Sequence, residues 1–252
     1  MRGADMVKKP ADNTGPKVWF VGAGPGDPEL ITIKGHRLVK DADVLIYAGS
    51  LVNPVLVAGS GAAVKLDSWG MHLDEMVDTM VHHATAGKSV VRLHSGDPSL
   101  YGAIVEQIEK LEERGVATEI VPGVSSLFAA AAALKTQLTL RGVSESVIIT
   151  RPAGKTLKVD EIEKFSRLNS TMVIFLGTEK LGEITKKLAC PPGTPAAVVY
   201  HASWPDQKII RGTVTDIAAK AKDAGIEHTA LLVIGGVVGD LKEGHVKSYL
   251  YS

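Results

Sequence analysis

The sequence predicts an α/β protein with two α/β domains, the first built on a mainly parallel sheet and the second on a mixed sheet. Short apolar runs alternate with longer segments of helical periodicity through the first half of the chain. This alternation is typical of parallel strands joined by right-handed crossovers. The polar stretch KTQLTLRGVSES, residues 135–146, then separates this half from a second series of strand and helix candidates. In that series two strand candidates lie one short loop apart, which indicates a hairpin and therefore a mixed sheet.

The first domain is predicted at residues 17–135, where runs rich in β-branched residues predict strands and amphipathic segments predict helices. The predicted strands are 18–21, 44–47, 89–94 and 118–121, and the predicted helices are 30–40, 73–86, 101–114 and 125–134. Gly87 and Gly115 directly follow two of these helices, where glycine commonly ends a helix. We expect residues 1–16, which carry charge and proline but no apolar core, to form a flexible tail.

The second domain is predicted at residues 136–252, with an active-site cleft expected between the two domains. Its predicted strands are 147–150, 172–176, 196–200, 208–211 and 230–234, and its predicted helices are 159–166, 180–188 and 214–224. The segment CPPGTP, residues 190–195, has the composition of a turn between a helix and a strand.

The composition excludes several classes of protein. Lysine and arginine together number 28, as do aspartate and glutamate, so no net field attracts nucleic acid or an anionic membrane. A single cysteine, Cys190, rules out an intramolecular disulfide and a cysteine-based zinc site. No apolar run reaches the roughly 18–20 residues that cross a bilayer. We therefore expect a soluble, cytoplasmic protein that binds neither nucleic acid nor membrane and holds no metal.

The first glycine-rich loop, GAGPGDP at residues 22–28, resembles a dinucleotide-binding loop but lacks its chemistry. Asp27 stands where the fingerprint requires its last glycine, and Pro25 and Pro28 each remove an amide donor. A carboxylate beside a phosphate is repulsive by about 1 kcal/mol at contact distance even in water. Phosphate is therefore a poor ligand for this loop.

Two further turns follow predicted strands and suggest a different ligand. Ser95, Gly96 and Asp97 offer backbone carbonyls, a hydroxyl and a carboxylate, which suit a ligand with hydroxyls and positive charge. Ser125 and Ser126 begin a predicted helix, where hydroxyls cap the helix and free amides favour a carboxylate. S-adenosylmethionine combines a positive charge, ribose hydroxyls, an adenine and a carboxylate. Each turn alone is more often only a turn or a cap, so the prediction depends on all three following strands of one sheet.

At these residues the chain resembles the tetrapyrrole C-methyltransferases of sirohaem and cobalamin synthesis. The segment VGAGPGDPELITIKG, residues 21–35, is similar to the family's first signature, and residues 90–123, from VVRLHSGDPSLYG to EIVPG, are similar to its second. The segments DADVLIYAGSLV, GMHLDEMV and YHASWPDQKIIRGTV most resemble the branch that methylates carbon 11 of precorrin-4 or cobalt-precorrin-4. The resemblance implies the tetrapyrrole methylase fold, a tetrapyrrole substrate and a homodimer.

The resemblance also implies a set of residues that contact S-adenosylmethionine, or its product S-adenosylhomocysteine. By matching motifs these cofactor contacts are Pro25, Ser95, Gly96, Asp97, Leu100, Tyr101, Ser125, Ser126, Leu176, Ala202, Thr229, Ala230 and Leu231. The family usually has Thr-Ala where this chain has Ser125-Ser126, so the hydroxyl is retained at Ser125 only.

The implied reaction moves a methyl group from a sulfonium to an electron-rich ring carbon, and its neutral thioether product needs no acid. The protein then mainly aligns the reactants, which can contribute about 7–11 kcal/mol. Asp27 is the candidate catalytic residue of the first loop, and Met71, His72 and Arg151 are candidates for binding the substrate. Any cobalt would arrive within the substrate.

Three alternatives stay open at this point. The methyl group could go to another ring carbon, or to another tetrapyrrole such as uroporphyrinogen III. The chain could also be a non-catalytic tetrapyrrole carrier, although the glycines, Asp97 and Tyr101 of the cofactor motifs are all present. A nicotinamide-dependent dehydrogenase is disfavoured by the chemistry of the first loop.

Overall fold

The computed structural model describes residues 15–240, which form two compact units, each built on a five-stranded sheet. The first unit comprises residues 15–23 and Ile31–Gly123, and the second comprises Gly24–Leu30 and residues 124–240. Most of the predicted tail, residues 1–14, lies outside the described residues. No helix within residues 15–240 is long and apolar enough to cross a membrane.

The first unit alternates strands and helices, as the periodicity predicts. Its elements are β1 (Lys17–Gly22), α1 (Ile33–Lys40), β2 (Val44–Tyr47), α2 (Pro54–Gly59), β3 (Val64–Asp67), α3 (Leu73–Thr85), β4 (Val90–His94), α4 (Val105–Glu113) and β5 (Ala117–Val121). The sheet has the order β3-β2-β4-β1-β5, and every pair of neighbours is parallel. The carboxyl ends of all five strands therefore lie along one edge of the sheet.

Both faces of this sheet are covered because successive strand residues point to opposite sides. Phe20 of β1 packs in a core with residues of α3 and α4, such as Met80 and Leu111. Val21, the next residue, packs in a second core with Val39 of α1 and Leu56 of α2. Burial on both faces explains why the central strands read as nearly continuous apolar runs.

The second unit contains a mixed sheet, as predicted. Its elements are α5 (Ser126–Leu134), β6 (Val147–Thr150), α6 (Ile162–Phe165), β7 (Thr171–Ile174), α7 (Leu181–Lys187), β8 (Pro195–Tyr200), β9 (Lys208–Thr213), α8 (Ile217–Asp223) and β10 (Ala230–Ile234). The sheet has the order β6-β7-β10-β8-β9. Only β6 and β7 are parallel, and β8 and β9 form the predicted antiparallel hairpin.

Helix α5 packs in the second unit, although the sequence analysis placed residues 125–134 in the first domain. Its leucines and alanines form one core with alternate residues of the sheet, among them Val199 and Val233. The opposite face of the sheet packs against α6, α7 and α8. Periodicity along the chain shows that a helix has an apolar face but does not identify the sheet against which that face packs.

Several predicted elements need correction. The predicted helix 101–114 begins only at Val105, because Tyr101 (φ 57°) and Ala103 (φ 48°) have backbone angles incompatible with a right-handed helix. The predicted helix 159–166 shortens to Ile162–Phe165. Strand β3 and helix α2 were not predicted, since one is a four-residue strand with half its residues exposed and the other is a single six-residue helix.

Candidate functional site

Three glycines bring together the turns that follow β4, β1 and β5, the three neighbouring strands of the first sheet. A β-carbon added at Gly22 would lie 2.5 Å from the Cα atom of Gly123 and 2.7 Å from the carbonyl oxygen of Gly96. A β-carbon at Gly123 would lie 2.1 Å from the same oxygen. Real side chains do not fit at these distances, so glycine at these positions lets the three turns pack directly against one another at the carboxyl edge of the sheet.

Asp97 fixes the turn after β4 to the turn after β5. Its Oδ2 atom accepts a hydrogen bond of 2.8 Å from the amide of Gly123, and its Oδ1 atom accepts from the amide and the hydroxyl of Ser99. Partial burial by itself would raise the pKa of this carboxyl, but the bonds from Ser99 and Gly123 outweigh it and lower the pKa. Asp97 is therefore held ionised, and at least part of its role is to fix the site's backbone.

The aspartates of the two Gly-Asp-Pro turns make the same local hydrogen bonds, although the preceding glycines differ in φ, which is 157° at Gly26 and 61° at Gly96. Oδ1 of Asp27 accepts from the amide of Glu29, two residues on, as Oδ1 of Asp97 does from the amide of Ser99. The carbonyl of each aspartate accepts from the amide three residues on, that of Leu30 or Leu100. This is the turn that aspartate side chains commonly stabilise, and it explains the repeated motif without requiring a common ligand.

Three amides in and next to the first loop already have acceptors, which agrees with the argument against phosphate. The amide of Asp27 donates to the hydroxyl of Ser203, and those of Glu29 and Leu30 donate to Asp27 itself. Pro25 and Pro28 have no amide hydrogen. A pyrophosphate cradle needs several free amides pointing at one place, and neither these three amides nor the two prolines can contribute to one.

The predicted cofactor contacts of the first unit all lie on the second loop, residues 95–104, which links β4 to α4. Ser95, Gly96 and Leu100 are half-buried, and Tyr101 is 42% exposed. Tyr101 has a positive φ of 57°, which is uncommon for a large side chain and stores strain. The predicted contacts on this loop are therefore partly or fully accessible.

A buried polar network beneath this loop was missed by the sequence analysis. The guanidinium of Arg92 lies 3.4 Å from the side-chain oxygen of Gln107 and 3.4 Å from the carbonyl of Ile46. Gln107 in turn donates a 2.8 Å bond to the carbonyl of Ala103, inside the strained part of the second loop. The signal in the sequence is the polar residues within the otherwise apolar strand VVRLH.

Burial shifts the ionisation of two β4 residues. Desolvation lowers the pKa of Arg92 to about 10, although Asp67 acts in the opposite direction. Desolvation, and next the charge of Arg92, lower the pKa of His94 to about 3, so its imidazole is neutral near pH 7. The Nε2 atom of His94 is buried and has no hydrogen-bond partner among the described residues. The side chains of Arg92 and His94 are at most 5% exposed, so both lie in the protein interior near the end of β4, where the second loop begins.

In the second unit, the predicted contacts gather at one edge of the mixed sheet. Leu176 follows β7, Ala202 follows β8, and Thr229 precedes β10 with Ala230 and Leu231. Because β10 runs antiparallel to both β7 and β8, these three places lie at the same edge. The hydroxyl of Thr178 pairs with both backbone groups of Ala230, which fixes the start of β10 beside the end of β7.

Several residues at this edge of the mixed sheet have a strained backbone. Leu176, His201, Ser203 and Thr229 all have positive φ, between 45° and 72°. Three of the seven non-glycine residues with positive φ among residues 15–240 are predicted cofactor contacts, and two more flank Ala202. Such strain persists where the surrounding structure holds the backbone, and it is frequent at ligand sites.

Two serines begin α5 as predicted, but they are not equivalent. Ser125 is buried, and its hydroxyl caps the helix by accepting from the amide of Leu127 at 3.3 Å. Ser126 is the first residue of the helix and is half-buried. The capping role accounts for the hydroxyl at Ser125.

The substrate candidates are more scattered than the cofactor candidates. Met71 and His72 follow β3, two strands away from β4, and Met71 packs partly against the core while His72 is exposed. Arg151 follows β6 in the second unit and donates to the hydroxyl of Thr156 at 2.6 Å. Asp27 lies half-buried on the first loop. No group of histidine, cysteine, aspartate and glutamate side chains in the described part of the chain could hold a metal ion.

Comparisons with known proteins identify the family of the chain. The family model of the tetrapyrrole (corrin/porphyrin) methylases matches residues 17–218. A cobalt-precorrin-4 C(11)-methyltransferase of Methanocaldococcus jannaschii is 51% identical over 239 residues, which cover 92% of each chain. The solved structure of a cobalt precorrin-4 methyltransferase, described as a cobalamin biosynthetic enzyme, is 45% identical with a TM-score of 0.83, covering 88% of this chain and 95% of that one.

A third relative bears on the cofactor. The structure of a uroporphyrin-III C-methyltransferase of Thermus thermophilus in complex with S-adenosylhomocysteine is 31% identical with a TM-score of 0.76, covering 88% of this chain and 98% of that one. The match of the family model to most of the chain, together with these relatives and the two observed sheets, shows that the chain belongs to the tetrapyrrole (corrin/porphyrin) methylases.

Proposed function

We propose that the chain is an S-adenosylmethionine-dependent methyltransferase of cobalamin biosynthesis, which methylates carbon 11 of precorrin-4 or of cobalt-precorrin-4. The observation that carries this proposal is the 51% identity, over 92% of both chains, to a cobalt-precorrin-4 C(11)-methyltransferase. At this identity the whole chain is matched rather than one motif. The proposal includes a homodimer in the cytoplasm, as the resemblance implies.

The residues present fit S-adenosylmethionine better than a dinucleotide. Close packing at Gly22, Gly96 and Gly123 holds three turns together at one edge of the sheet, and the amides of Asp27 and Glu29 are engaged and not available to a phosphate. When bound, this cofactor supplies a methyl group already activated on a positively charged sulfur. The residues that would hold it are Ser95 to Asp97, Leu100 and Tyr101 of the first unit. From the second unit they are Pro25, Ser125, Ser126, Leu176, Ala202, Thr229, Ala230 and Leu231.

In this proposal the protein binds and orients rather than donating a proton. The strained backbone at Tyr101, Leu176 and Thr229 gives these residues one fixed orientation each. Fixed orientation matters because well-aligned reactants can gain about 7–11 kcal/mol over free encounter. Exposed apolar side chains such as Leu176, which is 66% exposed, would exclude water when they cover the reactants.

Asp27 is the proposed catalytic residue, and Met71, His72 and Arg151 are the proposed substrate contacts. Oδ1 of Asp27 is engaged by Glu29, and within the described residues no side chain bonds to Oδ2. This oxygen is therefore available to accept a proton or a hydrogen bond from the substrate. Arg151 provides a guanidinium suited to a carboxylate of a tetrapyrrole.

Calorimetric titration with S-adenosylhomocysteine, with NAD as the control, tests the cofactor assignment. We expect one site per chain with micromolar affinity and no response to NAD. Tight binding of NAD without any binding of S-adenosylhomocysteine would contradict the proposal and favour a dehydrogenase.

A second experiment tests the substrate and the ring position. Incubation of precorrin-4 and of cobalt-precorrin-4 with ¹³C-methyl-labelled S-adenosylmethionine is followed by carbon NMR, which locates the new methyl group. We expect label at carbon 11, and comparison of the two rates shows whether cobalt is preferred. Label at another carbon, or on uroporphyrinogen III alone, would contradict the assignment. Cofactor binding without transfer to any tetrapyrrole would favour a carrier.

A further inference from the structure

We propose that Trp204 and Ser203 are positioning residues, which hold the first loop, at its residues 24–28, in the conformation that methyl transfer requires. This inference rests on the proposed function, since the loop carries Pro25 and Asp27. Both positioning residues lie on the hairpin loop, residues 201–207, which joins β8 to β9. The two loops are far apart in the chain but belong to the same compact unit.

Two hydrogen bonds join the hairpin loop to the first loop. The indole nitrogen of Trp204 donates to the carbonyl of Pro25 at 3.1 Å. The hydroxyl of Ser203 accepts from the amide of Asp27 at 3.0 Å. The proposed cofactor contact and the proposed catalytic residue are thus each tied by their backbone to one hairpin residue.

Gly26, between these two bonds, lies directly against the indole. A β-carbon at Gly26 would be 2.1 Å from two atoms of the Trp204 ring, so only glycine allows the ring to lie there. The ring therefore covers the backbone between Pro25 and Asp27. Two hydrogen bonds with a packed ring between them fix both the position and the orientation of the loop.

The hairpin loop is itself held rigidly. Ser203 and His201 have positive φ angles of 72° and 45°, and the amide of Ser203 donates to the side chain of Gln207 at 2.8 Å. The amide of Trp204 donates to the carbonyl of His201 at 2.9 Å. A strained backbone persists only when neighbouring contacts hold it. In this conformation the hydroxyl of Ser203 and the indole of Trp204 both contact the first loop.

Two further rings of the second unit lie next to the indole. The imidazole of His201 stacks on Tyr200 with 3.9 Å between ring centroids, and lies 5.5 Å from the Trp204 ring. The Nδ1 atom of His201 is 3.0 Å from both carboxylate oxygens of Asp206, which fixes the imidazole. The hydrogen bond from His201 lowers the pKa of Asp206, so the carboxylate remains charged near pH 7. Tyr200, His201 and Trp204 form a continuous row of rings behind the first loop.

Such precise fixing of an irregular loop has a functional consequence. A misplacement of about 1 Å can cost a methyl transfer about a hundredfold in rate, because alignment supplies most of the catalysis. Loss of one hairpin contact should therefore lower turnover in the folded enzyme. A purely structural contact would lower thermal stability alone.

The test uses two conservative variants and one matched control. Trp204→Phe keeps a ring against Gly26 but removes the donor to Pro25, and Ser203→Gly removes the acceptor for Asp27 without adding strain at positive φ. Trp19→Phe is the control, because Trp19 lies midway along β1 with Lys17 and Lys34 over its ring.

We expect kcat to fall about tenfold in each hairpin variant, at a temperature where circular dichroism shows the variant to be folded. Trp204→Ala, which also removes the ring, should lower kcat about a hundredfold, so that phenylalanine gives partial rescue. The KM for the methyl donor should change less than threefold. The change in tryptophan fluorescence caused by S-adenosylhomocysteine should vanish in Trp204→Phe and persist in Trp19→Phe.

The outcomes separate this inference from the proposed function. Wild-type kcat in both Trp204→Phe and Ser203→Gly, or an unchanged fluorescence response in Trp204→Phe, would overturn the positioning role while leaving the methyltransferase assignment intact. Failure of the wild-type protein itself to bind S-adenosylhomocysteine would overturn the proposed function, and with it this inference.

Discussion

Asp97 and Asp27 form a natural pair of variants, because they stabilise similar turns, but Asp97 accepts two bonds that Asp27 does not, from the hydroxyl of Ser99 and from the amide of Gly123. Asp97→Ala removes the bond from Gly123 as well as the bonds from Ser99. Asp27→Ala removes the bond from Glu29 alone. The difference between the two variants therefore reports the bridge from β4 to β5 together with the bond from the Ser99 hydroxyl.

The magnitude follows from these contacts. Loss of the local turn bond should cost about 0.5–1.5 kcal/mol in either variant, the usual net value of a hydrogen bond. In Asp97→Ala the amide of Gly123 also loses a charged acceptor in a half-buried place, which adds about 1–3 kcal/mol. We expect the free energy of unfolding to fall by about 2–4 kcal/mol in Asp97→Ala and by about 1 kcal/mol in Asp27→Ala.

Urea denaturation followed by circular dichroism measures both values, and calorimetry with S-adenosylhomocysteine measures the effect on the site. Asp97→Ala should also weaken cofactor binding by about tenfold or more, since the turn carrying Ser95 and Gly96 loses its anchor. Asp27→Ala should bind the cofactor nearly as the wild type does and should lose turnover instead. Equal destabilisation by the two substitutions would refute the bridging role of Asp97.

The pH dependence of stability provides a second check on the same residue. The folded-state pKa of Asp97 is lowered, so the unfolded chain binds a proton more readily than the folded one in acid. The stabilisation is therefore present above the unfolded pKa, about 4, and is lost as the pH falls through the folded pKa. The stability difference between the wild type and Asp97→Asn should shrink over that range. A constant difference would contradict the ionised state assigned to this carboxyl.

Three further predictions follow from buried groups of the first unit. Gly22→Ala should destabilise the protein by at least about 2 kcal/mol in urea titrations, because the added β-carbon would clash with backbone atoms. Gly59→Ala is its control and should be neutral or slightly stabilising, because no atom lies within 4 Å of the added β-carbon. Gln107→Leu should cost about 2–4 kcal/mol by the same method, since it leaves the buried guanidinium of Arg92 without its side-chain acceptor. His94, with a pKa of about 3, should show no imidazole titration by NMR between pH 5 and 8. The free energy of unfolding should decrease as the pH falls from 6.5 towards 3, because over this range the imidazole takes up a proton in the unfolded chain but not in the folded one.

Each of these three has a contrary outcome. Equal effects of the two glycine substitutions would contradict the close approach of the backbone turns. Wild-type stability of Gln107→Leu would contradict the buried network. An imidazole of His94 that titrates near 6.5 would show that water reaches it.

Much of the fold could be predicted from local patterns. The strands β1, β2, β4 and β5 and the hairpin of β8 and β9 were predicted because buried strands are short apolar runs bounded by turn residues. The glycines of the first loop and of the turns after β4 and β5 were also visible, since these conformations demand glycine. Elements whose stability is not local were missed or misplaced, such as β3 at the edge of its sheet and the start of α4.

The candidate site shows the same division. Its residues could be named because their motifs are contiguous in the sequence, for example Ser95 to Tyr101. The roles of some of these residues could not be predicted, because they depend on distant segments. The carboxylate of Asp97 accepts from an amide 26 residues away, and the amide of Asp27 donates to a hydroxyl 176 residues away. Arg92 and His94 were overlooked because an apolar strand pattern does not indicate what a polar residue within it contacts.

The sequence by itself determined the class of fold, the chemistry of the turns and the family, because each depends on residues that are close together in the chain. Only the tertiary structure decided that β1 lies between β4 and β5, which brings Gly22, Gly96 and Gly123 into contact. It alone decided that the first loop packs against Trp204. The physical reason is that many strand orders satisfy the same hydrophobic pattern, and the order adopted depends on contacts between distant segments.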